Sequence, residues 1–130
     1  MNTKSYLLAA CLFVALPVAA ETMTKDQYKA KQTEIGSTYK SEKAACKKIS
    51  GNAKDICVET AKGKEKVAKA ELKYAYTNKP GDQKKIGLAK ANAEYAVAKE
   101  QCDDKKGKDK SACKSTAKTA HKQAVSAAKA

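Results

Sequence analysis

The chain contains no arginine and no tryptophan, and only one phenylalanine, one histidine and two prolines. Without arginine it lacks the planar bidentate donor that base edges and phosphates favour, so no nucleic-acid partner is expected. The lone His121 stands in a lysine-rich stretch with no neighbouring acid or nucleophile. A triad needs both, and the residue reads as a surface side chain. Gly63-Lys64 and Gly107-Lys108 lack the rest of a phosphate-binding loop. Beyond residue 20 no apolar run is long enough to span a bilayer. With neither a catalytic constellation nor a cofactor or metal motif, the chain reads as non-enzymatic, with no cofactor. Tyr28, Tyr39, Tyr74 and Tyr95 sit at helical spacings that suit the edge of a core.

What fills the sequence instead is lysine and alanine. All 27 basic residues are lysine, against 14 acids in 130 residues. The first twenty residues read as a secretory signal: Lys4 supplies the positive start, Tyr6 to Leu16 the apolar stretch, and Val18-Ala19-Ala20 a small-residue cleavage site. Leu8-Ala9-Ala10-Cys11 resembles a lipobox that would lipidate Cys11, but it leaves a very short apolar stretch before the cut. Cleavage after Ala20 removes Lys4 and no acid, leaving 26 lysines, 14 acids and a net charge of +12. The remaining 110 residues suffice for one domain.

Their periodicity predicts an all-α chain of four long helices, paired as two tandem antiparallel hairpins, 24–77 and 82–129, with a linker at 78–82. Thr24 and Gln27 have the spacing of a capping box. The first stripe then runs Tyr28, Gln32, Ile35, Tyr39, Glu42, Cys46 and Ile49. Ser50-Gly51-Asn52 ends this helix, and Asn52 is positioned to cap the next. The second stripe runs Ala53, Ile56, Thr60, Gly63, Val67, Ala70 and Tyr74, widened by Ala68 and Leu72. Asn78-Lys79-Pro80-Gly81-Asp82 is the strongest break, with Asp82 as cap of the third helix. That helix carries Ile86, Ala89, Ala93, Ala96 and Val97. The fourth presents Ala117, Ala120, Ala124, Ala127 and Ala128, with Val125 its one large apolar residue.

Two elements repeat at an offset of 56 residues: Tyr39 with Tyr95, Cys46 with Cys102, Gly51 with Gly107, and Cys57 with Cys113. Each is Cys-x10-Cys with glycine near its middle. Cleavage after Ala20 also removes Cys11, leaving four of the five cysteines, and an even number in a short exported chain reads as a disulfide framework. If Cys46 to Cys57 were one straight helix, their Cα atoms would stand about 16 Å apart, at ~1.5 Å per residue. A disulfide needs roughly 4.4–6.8 Å. Pairing 46–57 and 102–113 therefore requires the chain to reverse at each glycine, putting a disulfide near the tip of each hairpin. The alternative, 46–113 with 57–102, keeps both stretches helical, as in twin-cysteine helical hairpin proteins of mitochondria, which use a nine-residue spacing. Ser-Gly-Asn is a poor helix interior, and the within-repeat pairing is expected. Each small ring stabilises by about 3 kcal/mol on the chain-entropy model, which offsets a thin core.

The element Cys46-x4-Gly51-Asn52-Ala53-Lys54-Asp55-x-Cys57 resembles one in small exported Lys/Ala-rich proteins of beta-proteobacteria. The second copy lacks Asn-Ala-Lys-Asp. The resemblance implies an exported helical protein; it carries no established activity, and no functional residues are transferred from it.

Lys106, Lys110, Lys114, Lys118 and Lys122 recur every four residues and form a slowly drifting ridge, with no acid after Asp109. Such a ridge is either a solubilising face or a contact for a polyanion: lipopolysaccharide, anionic lipid or peptidoglycan. The expectation is a periplasmic protein that touches the cell envelope through these lysines. Two other readings stand beside it: a stress-, redox- or metal-responsive periplasmic protein that cycles its cysteine pairs, and a structural spacer or coiled-coil partner.

Overall fold

The computed structural model describes residues 22–130. The signal sequence, its cleavage after Ala20 and the lipobox at Cys11 lie outside the described residues. Four helices follow in order: α1 (Lys25–Cys46), α2 (Gly51–Thr77), α3 (Pro80–Asp103) and α4 (Gly107–Lys129).

Local chemistry sets each boundary. Thr24 opens α1 with the expected capping box: the Gln27 amide N–H donates to Thr24 Oγ1 at 3.2 Å, and the Thr24 N–H donates to Gln27 Oε1 at 2.8 Å. α1 stops at Cys46, a turn earlier than the stripe through Ile49 implied, and Ile49 is 42% exposed in the turn. Gly51 and Gly107 hold the left-handed backbone (φ 63° and 52°) that starts α2 and α4 after each reversal. Asn78, also left-handed, closes α2 through its N–H to the Tyr74 carbonyl at 2.7 Å. Pro80 then occupies the first turn of α3, where its missing N–H costs nothing.

Two caps differ from expectation. The N-cap of α2 is Ser50, and Asn52 reaches across instead: its Nδ2 donates to the Glu100 carbonyl at 2.6 Å, satisfying one of the free carbonyls at the end of α3. The N-cap of α3 is Lys79. Asp82 lies one turn inside, buried, where it accepts from Thr77 Oγ1 at 2.7 Å and pairs with Lys85 Nζ at 2.7 Å. Those partners, Lys85 first and Thr77 second, hold the Asp82 carboxyl below the usual range.

The helices form an open layer in chain order. Among the described residues α1 packs only on α2, α4 only on α3, and α2 against α3 forms the most extensive contact. The sequence expected two disulfide-tipped hairpins, and both are present; what joins them is the hairpin of α2 and α3, which has no disulfide. Small residues let these backbones approach. A Cβ added to Gly63 of α2 would stand 2.7 Å from that of Ala93 in α3, and one added to Gly87 of α3 would stand 2.7 Å from that of Ala128 in α4. The core is correspondingly thin: Cys46, Ala61, Leu72, Ala91 and Cys102 are its buried apolar residues among those described.

Candidate polyanion-contact face

Both disulfides join cysteines within one repeat. Cys46–Cys57 and Cys102–Cys113 each bring Cα atoms to 5.6 Å across a reversal. The Asn52–Glu100 bond sets the two turns at the same end of the layer. These four cysteines staple; Cys46 and Cys102 are each only 1% exposed.

The expected lysine ridge divides. Lys110 and Lys114 both reach Asp103 Oδ1, at 3.0 and 2.8 Å. Lys114 first, then Lys110, draws the Asp103 carboxyl below its ordinary range. Lys106 sits at the N-cap of α4. Lys118 and Lys122 are exposed and make no ion pair among the described residues. His121 is half-buried, more engaged than a plain surface histidine. Its Nε2 is 2.7 Å from Asn92 Oδ1 and its ring stacks on Tyr95 at 4.5 Å. On the far side of the repeat relation, Lys43 lies over Tyr39 at 5.7 Å just as Lys99 lies over Tyr95 at 5.2 Å.

The layer has two unlike faces. One is grooved. The groove between α1 and α2 and that between α2 and α3 share Lys64 and Ala68 as walls, and the grooves between α3 and α4 continue them through Glu94, Ala98 and Ala117. These grooves therefore open on one side. Their charged rims are mixed: Lys31, Lys64, Lys90 and Lys105 against Glu34, Glu42, Glu65, Glu71, Glu94 and Asp109. Lys64 pairs with Glu42 at 2.8 Å and Lys90 with Glu71 at 3.1 Å.

The other face is richer in lysine, although Asp55, Glu59 and Asp103 also lie on it. On α2, Lys62, Lys66, Lys69 and Lys73 follow steps of four, three and four, which place them about half a turn from the groove residues Lys64, Val67 and Glu71. On α1, Lys25, Lys29, Lys40 and Lys43 share a stripe opposite Glu34 and Thr38. Lys85 and Lys99 stand opposite Lys90 and Val97 on α3, and Lys114, Lys118 and Lys122 opposite Ala112 and Thr116 on α4. Each of the four helices thus turns a lysine stripe to the same side. Some of these cations are internally paired: Lys62 with Glu59 and Lys69 with Glu65, each at 2.6 Å. The hydrogen bond to Glu59 is the main cause that raises the Lys62 pKa. Lys66, Lys73, Lys118 and Lys122 make no ion pair among the described residues.

The stripe on α2 was visible as a period in the sequence, but the ridge on α4 alone drew the expectation. That the stripes coincide depends on the lateral order of the helices, which no local pattern contains. Among the described residues no helix is long and apolar enough to cross a membrane. In comparisons with protein families, curated proteins and solved structures, no match to this chain was found.

Proposed function

We propose that this is an exported, non-catalytic protein of the periplasm that lies with its lysine face against an anionic surface of the cell envelope. The observation that supports this most is the convergence of lysine stripes from all four helices on one side of a single helical layer. An open layer presents a broad face, and a broad face meets a planar anion array with many cations at once. Each lysine near such a surface contributes about 1 kcal/mol, and the attraction fades within a Debye length. Without a large apolar stripe among the lysines, the protein rests on the surface and does not insert. Two disulfides suit the oxidising compartment that export implies.

Co-sedimentation with anionic vesicles or lipopolysaccharide at low salt tests the reading. Binding is expected to fall as salt rises and to be absent with neutral vesicles. Changing Lys66, Lys73, Lys118 and Lys122 to Gln should weaken it at least tenfold with the helical circular-dichroism signal intact. Changing Lys31, Lys64 and Lys90 to Gln on the grooved face should weaken it far less. Equal losses in both variants would mean that net charge acts without a face, and the proposal would fail.

A further inference from the structure

The grooved face is unlike the rest of this cationic molecule. Between α2 and α3 it forms a broad, open groove of about 530 Å³ lined by Gly63, Val67, Ala93 and Val97. The half-buried valines give it an apolar floor, and Gly63 and Ala93 keep the two backbones close enough to leave it open above. Its rim carries Lys64 and Glu71 from α2 and Lys90 and Glu94 from α3. Charge of both signs balances here, whereas the chain after residue 20 carries +12.

We infer that this groove is where a second copy of the chain docks, grooved face to grooved face. Two copies with so large a like charge repel through a surface on which lysines outnumber acids. They approach closely where carboxylates match the lysines in number, as on this rim. A two-fold axis through the groove sets Glu71 and Glu94 of one copy against Lys64 and Lys90 of the other, because an isologous contact pairs each patch with itself. Glu94, which makes no ion pair within the chain among the described residues, gains a cation by this contact. The valine floors then cover one another, the apolar centre within a polar rim that stable interfaces show. The pair presents its two lysine faces outward, in opposite directions.

Light scattering and sedimentation of the purified disulfide-bonded protein, without lipid, test this independently of what the lysines bind. The expected result is a concentration-dependent mass approaching twice that of the chain. The double variant Glu71→Lys, Glu94→Lys makes the rim wholly cationic, and Lys64→Glu, Lys90→Glu makes it wholly anionic. Each should be monomeric with unchanged helicity, and an equal mixture of the two should recover the doubled mass. A parent that stays monomeric at every concentration overturns the inference. So does a parent dimer that both variants retain, since another face must then form it. Capture of a free apolar peptide or lipid by a monomeric parent would assign the groove to that occupant instead.

Discussion

Across α1 and α2 the contact is made by side chains; across α3 and α4 it is made by closely spaced backbones. In the first hairpin Tyr28 stacks on Tyr76 at 4.5 Å, and Ile35, Tyr39 and Leu72 line a groove of about 320 Å³. Gly36, midway along α1, meets nothing within 4 Å. In the second hairpin the facing residues are Ala91, Ala98, Ala117, Ala120 and Ala124; they leave a cavity of only about 90 Å³ at mid-length, the groove widens to about 570 Å³ toward the disulfide turn, and Gly87 lies beneath Ala128. Tyr95 and His121 are its one aromatic pair. The turns are alike, each with left-handed glycine and a disulfide of the same span. One turn design thus serves two ways of holding an edge helix. Bulky side chains bury more area per contact, while alanine and glycine shorten the distance but bury little. α4 has no buried residue at all.

The largest expected difference follows from removing the staples. On the chain-entropy model either disulfide contributes about 3 kcal/mol, because the loops are equal. Their local consequences should differ. In a Cys102→Ala, Cys113→Ala variant, α4 keeps its alanine contacts, the Tyr95–His121 stack and the Asp103 ion pairs but no buried side chain, and its amides should exchange with solvent far faster across most of the helix. In the Cys46→Ala, Cys57→Ala variant, Tyr28 on Tyr76 and Ile35 near Leu72 should keep much of α1 protected. Hydrogen exchange read by mass spectrometry distinguishes the two. Equal release of both edge helices would erase the distinction between side-chain and backbone packing.

How far this contrast was readable beforehand depends on how local its causes are. The capping box at Thr24, the break at Asn78 and Pro80, and the reversals at Gly51 and Gly107 rest on neighbours in the chain, and all appear where expected. The disulfide pairing followed from helical rise together with Ser50-Gly51-Asn52 as a poor helix interior, which disfavoured the between-repeat alternative. Ile49 was carried into the first stripe because periodicity does not register where a helix stops; the turn begins after Cys46. Asn52 and Asp82 both looked like caps of their own helices, since their residue types suit that role. Asn52 instead bonds to α3, and Asp82 bonds both to Thr77 at the end of α2 and to Lys85 within α3. The common lysine face was least legible. Its stripes are local, but their agreement requires knowing that each helix touches only its chain neighbours.

Intermediate effects should come from the glycines that permit close approach. Replacing Gly63 with Ala removes about 1 kcal/mol of helix penalty. It also drives a methyl to 2.7 Å from Ala93 Cβ, between two helix centres that cannot easily part. Overpacking of this kind costs roughly 1–3 kcal/mol, so a net loss in thermal or denaturant stability is expected. Gly87→Ala meets the same 2.7 Å contact, but with Ala128, in the last turn of α4. That turn can splay, and the change should be close to neutral. Gly36→Ala has open space and should stabilise by about 0.5–1 kcal/mol. If Gly63→Ala were instead as stabilising as Gly36→Ala, the central pair of helices would be less rigid than the close approach implies.

The smallest expected effect separates the joints by pH. Asp82 ties the end of α2 to α3, and Asp103 ties α3 to α4; both carboxyls are held below their ordinary range by lysine partners, Asp82 by Thr77 as well. A depressed carboxylate contributes stability that is present above its unfolded pKa of about 4 and is lost as pH falls through the folded value. Acid should therefore weaken both joints, each from the same upper limit. Salt should tell them apart. Asp103 and its lysines are partly open to solvent, so their attraction is screened. Asp82 is buried and accepts a hydrogen bond from a neutral hydroxyl, which salt does not screen. In acid titrations of unfolding, Asp103→Asn should remove a component that added salt also removes from the parent. Asp82→Asn should remove one that survives in salt. Should salt abolish the Asp82 component as well, then Lys85 alone holds that carboxylate, and the Thr77 bond contributes nothing to the joint between the hairpins.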